Sequence, residues 1–157
     1  MQTIWITGGS SGIGFATAKE FINNNWQVVI SSSNKIKLES AKKKLELNNN
    51  KNLVHAIVCD ISSKNNVDET INSIEKNIGK IDIALLNASA YSPNKNQIFD
   101  ISNYELLVDV NIKGTLYCVN KLKDVMKNRN NTIAIISSPL GYRGCLLYTS
   151  DAADDDR

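Results

Sequence analysis

The segment Thr7-Gly8-Gly9-Ser10-Ser11-Gly12-Ile13-Gly14 holds the clearest chemistry in the 157-residue chain. It follows an apolar, strand-like run and opens a stretch with helical periodicity. A helix N-terminus has N–H groups without intrahelical partners and a partial positive charge, so it suits a pyrophosphate. Gly8 is expected to permit the tight turn, Gly12 to let backbone approach the phosphates, and Gly14 to allow close helix–strand packing. Gly8, Ser10, Ser11, Gly12, Ile13 and Gly14 are therefore candidates for binding a dinucleotide. Other chemistries have less to build on. His55 is the only histidine and sits in the strand-like run Leu53-Val54-His55-Ala56-Ile57-Val58, so a Ser-His-Asp triad is excluded unless His55 serves it. Cys59, Cys118 and Cys145 are odd in number and far apart, with no disulfide or metal-ligand spacing. Cys59 ends an apolar run and reads as a buried thiol.

The elements that must hold this loop alternate along the chain. Strands are predicted over residues 2–7, 27–31, 53–59, 81–87 and 132–137. Helices are predicted from Ile13 to the Asn23-Asn24-Asn25 cluster, over 35–47, over 64–78 with Gly79 as C-cap, and over 103–128. The last helix has Leu106, Leu107, Val110, Leu116, Val119, Leu122 and Met126 as its apolar set. Residues 88–102, with Pro93, are expected to form a loop. Short apolar strands separated by helices imply βαβ crossovers, so the fold class is α/β: a Rossmann-type, doubly wound parallel sheet with helices on both faces.

Composition fits one globular domain, with 42% hydrophobic and 22% charged residues. The net charge of +2 and the lack of a basic or aromatic stripe exclude nucleic acid as an expected partner. The Lys42-Lys43-Lys44 run reads as the solvated face of a helix. No apolar run reaches the roughly 18 residues that span a bilayer. Met1 leads almost at once into a strand, which leaves no room for a signal peptide. A cytoplasmic protein with no membrane partner is expected.

Four further motifs follow the glycine loop in order. Cys59-Asp60-Ile61 ends the third strand, and Leu86-Asn87-Ala88-Ser89 ends the fourth. Val110-Asn111-Ile112-Lys113-Gly114 lies within the long helix, and Ile136-Ser137-Ser138-Pro139-Leu140-Gly141 follows the fifth strand. With the glycine loop they resemble the short-chain dehydrogenase/reductase family over residues 1 to about 144. The resemblance implies an NAD(P)-dependent oxidoreductase that moves hydride between the nicotinamide and a small carbonyl or alcohol substrate. It assigns the catalytic Ser to Ser138 and the catalytic Asn, beside a proton-relay water, to Asn111. It places Asp60 and Ile61 at the adenine, and Asn87, Ala88 and Ser89 at the adenosine side. From the residues alone, Asp60 is equally a turn or N-cap residue, and Asn111 in mid-helix needs a buried partner.

Departures from the family pattern matter. Leu86-Asn87-Ala88-Ser89 stands where the family has Asn-Asn-Ala-Gly, which crowds the backbone near the adenosine ribose. The family places Tyr-x-x-x-Lys on the helix after its Ser. Here Tyr148 stands ten residues after Ser138, four further on is Ala152, and Tyr148 is read as a decoy. Composition also breaks. Asn, Ile and Lys fill 55 of the first 144 positions and none of residues 145–157, while formal charge passes from +5 to −3. Cys145–Asp154 resembles the in-frame translation of a transposase adapter used for sequencing libraries. Residues 145–157 are therefore read as a non-native tail on an incomplete NAD(P)-binding domain, residues 1–144. The alternative for the tail is a natural acidic C-terminus.

The chain as written is expected to be an inactive fragment, cut after the fifth strand. The rival reading is a non-catalytic dinucleotide-binding regulatory protein of the same fold. Cofactor choice turns on Ser31-Ser32-Ser33-Asn34-Lys35 after the second strand. No carboxylate is present to bond a ribose 2′-hydroxyl or repel a 2′-phosphate, and Lys35 and Lys37 are near. Ser33 and Asn34 are the candidate contacts, and NADP is favoured over NAD. Relatives commonly pair the long helix with a second subunit, so the parent protein is expected to be a homo-oligomer.

Overall fold

The computed structural model describes residues 1–48, 52–91 and 100–138. Five strands form one parallel sheet: β1 (Thr3–Thr7), β2 (Gln27–Ser32), β3 (Val54–Val58), β4 (Ile81–Leu86) and β5 (Thr132–Ile135). Their order is β3-β2-β1-β4-β5. The chain runs outward from β1 to β3, then crosses to the far side for β4 and β5. The helices are α1 (Gly12–Asn23), α2 (Lys35–Leu45), α3 (Lys64–Asn77), α4 (Ile101–Leu107) and α5 (Thr115–Val125). This is the doubly wound architecture, with a topological switch point between β1 and β4, where such sheets bind ligands.

Why β1 is central is plain in its residues. All five are buried, including Thr3 and Thr7, as a parallel strand covered on both faces requires. Side chains alternate between two cores. Ile4 and Ile6 pack with Val28, Ile30, Ala18 and Leu38 under α1 and α2. Trp5 packs with Val29, Ala84, Ile71 and Leu122 under α3 and α5. The indole Nε1 of Trp5 donates to Ser31 Oγ at 3.0 Å, so the largest core residue has no stranded polar atom. Parallel register sets Thr7 beside Ser31 on one side and Leu86 on the other. The carboxyl ends of β1, β2 and β4 thus finish level with one another.

Asn25 and Asn128 take left-handed φ values of 61° and 62°, and so end α1 and α5. Side chains cap α2, α3 and α4 through Asn34, Ser63 and Asp100. Gly79 is not the left-handed C-cap that its place after the third helix suggests, because Gly8 and Gly12 are the only described glycines with positive φ. A Cβ at Gly79 would sit 2.9 Å from Thr3 Oγ1, so close approach to β1 is what favours glycine there.

The long helix differs most from expectation. It begins at Ile101 and is interrupted by a π-helical segment, Val108–Gly114. Extra residues per turn shift the phase of the apolar stripe. Cys118, Leu122 and Met126 are buried, whereas Leu106 and Leu116, expected in the core, are 49% and 60% exposed. Ile112 and Val108 are exposed with them. β5 lies at one edge of the described sheet and is half-covered, with Ile135 53% exposed. Among the described residues no helix is long and apolar enough to cross a membrane.

Candidate dinucleotide site

A cavity of about 560 Å³ opens where the loops after β1, β2, β3 and β4 meet. Its floor is the glycine loop. Gly8 has φ +65° and Gly12 φ +54°, conformations that cost other L-residues about 1–2 kcal/mol. A Cβ on Gly12 would meet nothing within 4 Å, so the backbone there faces open space. Gly14 has the opposite reason to be glycine: a Cβ would lie 2.6 Å from Gly8 O and 2.7 Å from the amide nitrogen of Asn87. Helix α1 therefore seats directly against the loop. Ser11, at its N-cap position, makes no side-chain capping bond, so the first-turn N–H groups lack that partner. These features fit a pyrophosphate: a positive helix end, exposed backbone and open space in front of Gly12.

A network around Thr7 ties the loop to β4. Thr7 Oγ1 accepts from Asn87 N at 2.9 Å and Ala88 N at 3.0 Å, and donates to Leu85 O at 3.5 Å. The Asn87 side chain donates back to Thr7 O and Gly8 O, each at 3.2 Å. Asn87 is thus a strut holding two walls of the cavity together. Asp60 Oδ1 accepts from Ser62 N at 3.0 Å and Ser62 Oγ at 2.7 Å, so one oxygen fixes the turn after β3. The turn reading of Asp60 and its place at the cavity hold together. Asn34 caps α2, accepting from Lys37 N at 2.9 Å.

Of the thirteen residues expected at the cofactor, twelve line this one cavity: Gly8, Ser10, Ser11, Gly12, Ile13, Ser33, Asn34, Asp60, Ile61, Asn87, Ala88 and Ser89. Gly14 does not, since it is buried behind the loop. Ser32, Lys37, Cys59 and Val110 also line it. Ser89 is exposed at the cavity, so the departure at that position adds no buried bulk. Cys59 is buried, and burial pushes its thiol up from its usual value; burial also pushes Cys118 up to about 12, so neither is a ready nucleophile.

The two expected catalytic residues stand apart from the cavity lining. Asn111 lies in the π segment, exposed rather than buried. Its partner is backbone: Oδ1 accepts from Ala90 N at 2.7 Å and Nδ2 donates to Ala90 O at 3.0 Å. The side chain is thereby committed to the loop after β4. The Asn111 carbonyl accepts from Thr115 Oγ1 at 3.0 Å. Ser138 is exposed, three residues beyond β5. Tyr148 and Cys145 lie outside the described residues. A Tyr-x-x-x-Lys spacing does occur at Tyr117–Lys121 on α5, but Tyr117 packs on the α3 side of the core and neither residue lines the cavity. Among the described residues, no three His, Cys, Asp or Glu side chains are grouped to hold a metal ion.

Comparisons with known proteins agree with this geometry. The sequence profile of the family described as short chain dehydrogenase matches residues 2–152. An uncharacterized oxidoreductase of Staphylococcus saprophyticus is 30% identical over 152 residues, covering 94% of this chain and 64% of that protein. The 3-ketodihydrosphingosine reductase of Mus musculus is 30% identical over 149 residues, covering 92% of this chain and 45% of the reductase. A short-chain dehydrogenase/reductase structure from Brucella melitensis superposes with a TM-score of 0.83 at 21% identity, covering 93% of this chain and 60% of the other. The chain thus spans just under two thirds of the length of the staphylococcal relative.

Proposed function

Because the chain belongs to the short chain dehydrogenase family, we propose that it is the cofactor-binding part of an NAD(P)-dependent oxidoreductase acting on a small carbonyl or alcohol. The observation that carries this reading is the single cavity built from the glycine loop and the ends of β2, β3 and β4. Gly8–Ile13 would hold the pyrophosphate, Ser33 and Asn34 the adenosine ribose, and Asp60 and Ile61 the adenine. Asn87 keeps the walls together. When bound, the nicotinamide supplies or accepts the hydride. Ser138 would polarise the substrate oxygen. Asn111 uses its side chain on Ala90, and its carbonyl, with a second lone pair beside the Thr115 bond, is the group left to hold a relay water.

No Tyr-x-x-x-Lys follows Ser138 in this sequence. Without that acid–base pair, general acid–base help worth ~10²–10⁴ in rate is missing. The 157-residue chain is therefore proposed to bind dinucleotide without turnover. The alternative is a dinucleotide-binding regulatory protein of the same fold. The cofactor domain is assigned to residues 1–144, with 145–157 foreign to it. The parent is proposed to be a homo-oligomer, a reading supported by exposed Leu106, Ile112 and Leu116 along one stretch of helix.

Calorimetric titration with NADPH and NADH tests the binding reading, and tighter NADPH is expected. Failure of both to bind would sink it. Fusing residues 1–138 to the C-terminal part of the staphylococcal relative tests the catalytic reading. Carbonyl-dependent NADPH oxidation that Ser138→Ala abolishes is expected. A folded, cofactor-binding fusion with no activity on any carbonyl favours the regulator.

A further inference from the structure

A second cavity, of about 500 Å³, adjoins the first on the outer side of the glycine loop. Ser10, Ser11 and Lys37 line both, so the two form one trough running from the loop along α2. Beyond Lys37 it is lined by Ser40 and Lys44, with Phe15, Ile36 and Ala41 as its apolar sides. Lys37, Ser40 and Lys44 recur at helical spacing and share one face of α2.

The lysines of this helix differ in their partners. Lys35 pairs with Glu39 at 3.9 Å and Lys42 with Glu46 at 3.5 Å. Neither lines the trough. Lys37 and Lys44, which do, have no ion-pair partner among the described residues. Among the described residues, the only carboxylate lining either cavity is Asp60, after β3. Ser32, the last residue of β2, and Ser33 and Asn34 directly after it are uncharged and able to hydrogen-bond. Asn34 caps the backbone N–H of Lys37, which fixes where that side chain leaves the helix. Positive charge with no ion-pair partner among the described residues thus lies next to the place proposed for the adenosine ribose.

We propose that Lys37, one turn inside α2, is the residue that selects a phosphate on the ribose 2′-hydroxyl, with Lys44 adding a weaker, longer-range attraction. The inference rests on the dinucleotide reading of the cavity. It assigns the selecting charge to the helix rather than to the residue following β2, and it excludes Lys35, the lysine nearest to β2 in sequence.

The test uses the full chain and two fragments of the cofactor, adenosine 2′,5′-bisphosphate and 5′-AMP, in calorimetric titrations. The wild type is expected to favour the bisphosphate by about tenfold or more, as a charge-assisted bond to phosphate supplies. Lys37→Ala removes most of that ratio and Lys37→Arg retains it. Lys44→Ala lowers it by about two- to threefold, as an exposed and screened charge does. Lys35→Ala leaves it unchanged. The ratio also shrinks as salt is raised through ~0.1 M and beyond. Equal affinity of the wild type for the two nucleotides overturns the proposal, as does a ratio that survives Lys37→Ala or falls equally with Lys35→Ala. Binding of neither nucleotide overturns the dinucleotide reading itself, and this inference with it.

Discussion

Thr7→Val is the sharpest probe of how the cavity is held. Valine keeps the shape of threonine and removes only the hydroxyl. That oxygen accepts from two backbone amides, Asn87 N at 2.9 Å and Ala88 N at 3.0 Å. Thr7 is 1% exposed, so water has little access to replace it. A buried donor left without a partner costs about 1–3 kcal/mol. Asn87 and Ala88 are only half-buried, which places each amide toward the lower part of that range. The expected loss is about 2–4 kcal/mol, a large share of the ~5–15 kcal/mol typical of a domain. Thr7→Ser keeps the hydroxyl and loses one methyl, costing about 1 kcal/mol. Urea unfolding followed by circular dichroism separates the two variants. Dinucleotide affinity should fall with Thr7→Val as well, since Gly8, Asn87 and Ala88 are cavity walls. If Thr7→Val unfolds at the wild-type midpoint, or Thr7→Ser is as unstable as Thr7→Val, the network is not what ties the glycine loop to the end of β4.

Gly12→Ala adds a methyl at φ +54° into open space. It should cost about 1–2 kcal/mol in stability and weaken NADPH binding disproportionately, which calorimetry beside thermal unfolding resolves. His55 has its pKa lowered from 6.5 by burial and then by Lys42, and its Nε2 finds no partner among the described residues. The folded state thus favours neutral imidazole. Stability is fully present above pH 6.5 and declines as pH falls through the unfolded value toward the folded one, and His55→Gln should flatten that decline in pH-dependent melting. Arg129 Nη2 pairs with both Glu75 oxygens at 3.1 Å, and Glu75 Oε1 also accepts from Ile81 N at 2.8 Å. Glu75→Gln should destabilise by about 1–3 kcal/mol, and adding Arg129→Met should recover part of the loss in a double-mutant cycle; simple additivity would refute the coupling.

The sheet was legible because its central strands are buried on both faces. Trp5, Val29 and Ala84 lie in apolar runs that carry no competing helical period, and the glycine loop marks where the first strand ends. The loop was legible for a related reason. Its glycines answer to backbone demands, φ at Gly8 and Gly12 and close contact at Gly14, and such demands exclude nearly every other residue. The long helix was not legible in phase. At 3.6 residues per turn Leu116 lies about 120° round α5 from the buried Leu122 and so faces outward, and Leu106 stands on the far side of a break in the period, the π segment around Asn111. Its signal in the sequence is a mid-helix Asn, Asn111, followed by Gly114, whose Cβ would lie 2.8 Å from Ile61. Thr7 opens the glycine motif and Lys37 is one of two lysines near the end of the second strand, but no pattern in the sequence gives either its particular role. One is a strand residue among strand residues and the other a lysine among lysines, and only neighbours distant in sequence distinguish them.

That contrast explains why the two halves of the site differ. The half proposed for adenosine and pyrophosphate is made by strand ends and a helix start, which β1–β2 and β1–β4 pairing bring level. Its parts are local, and twelve of its thirteen expected residues meet at one cavity. The proposed substrate half depends on Asn111 and Ser138, neither of which lines the cavity. Asn111 acts on the loop after β4 through Ala90, not on the cavity itself. Ser138 follows β5, an edge strand of the described sheet paired only with β4. A residue after an edge strand is positioned by fewer neighbours than one after β1, which has a strand on each side. Binding of the adenosine half should therefore survive perturbations of β5 that abolish any role of Ser138. Ile135→Lys in the fused protein should leave 5′-AMP affinity within about twofold while lowering turnover, because Ile135 does not line the cavity and stands three residues before Ser138. Parallel loss of both would mean that the two halves fold and act as one unit.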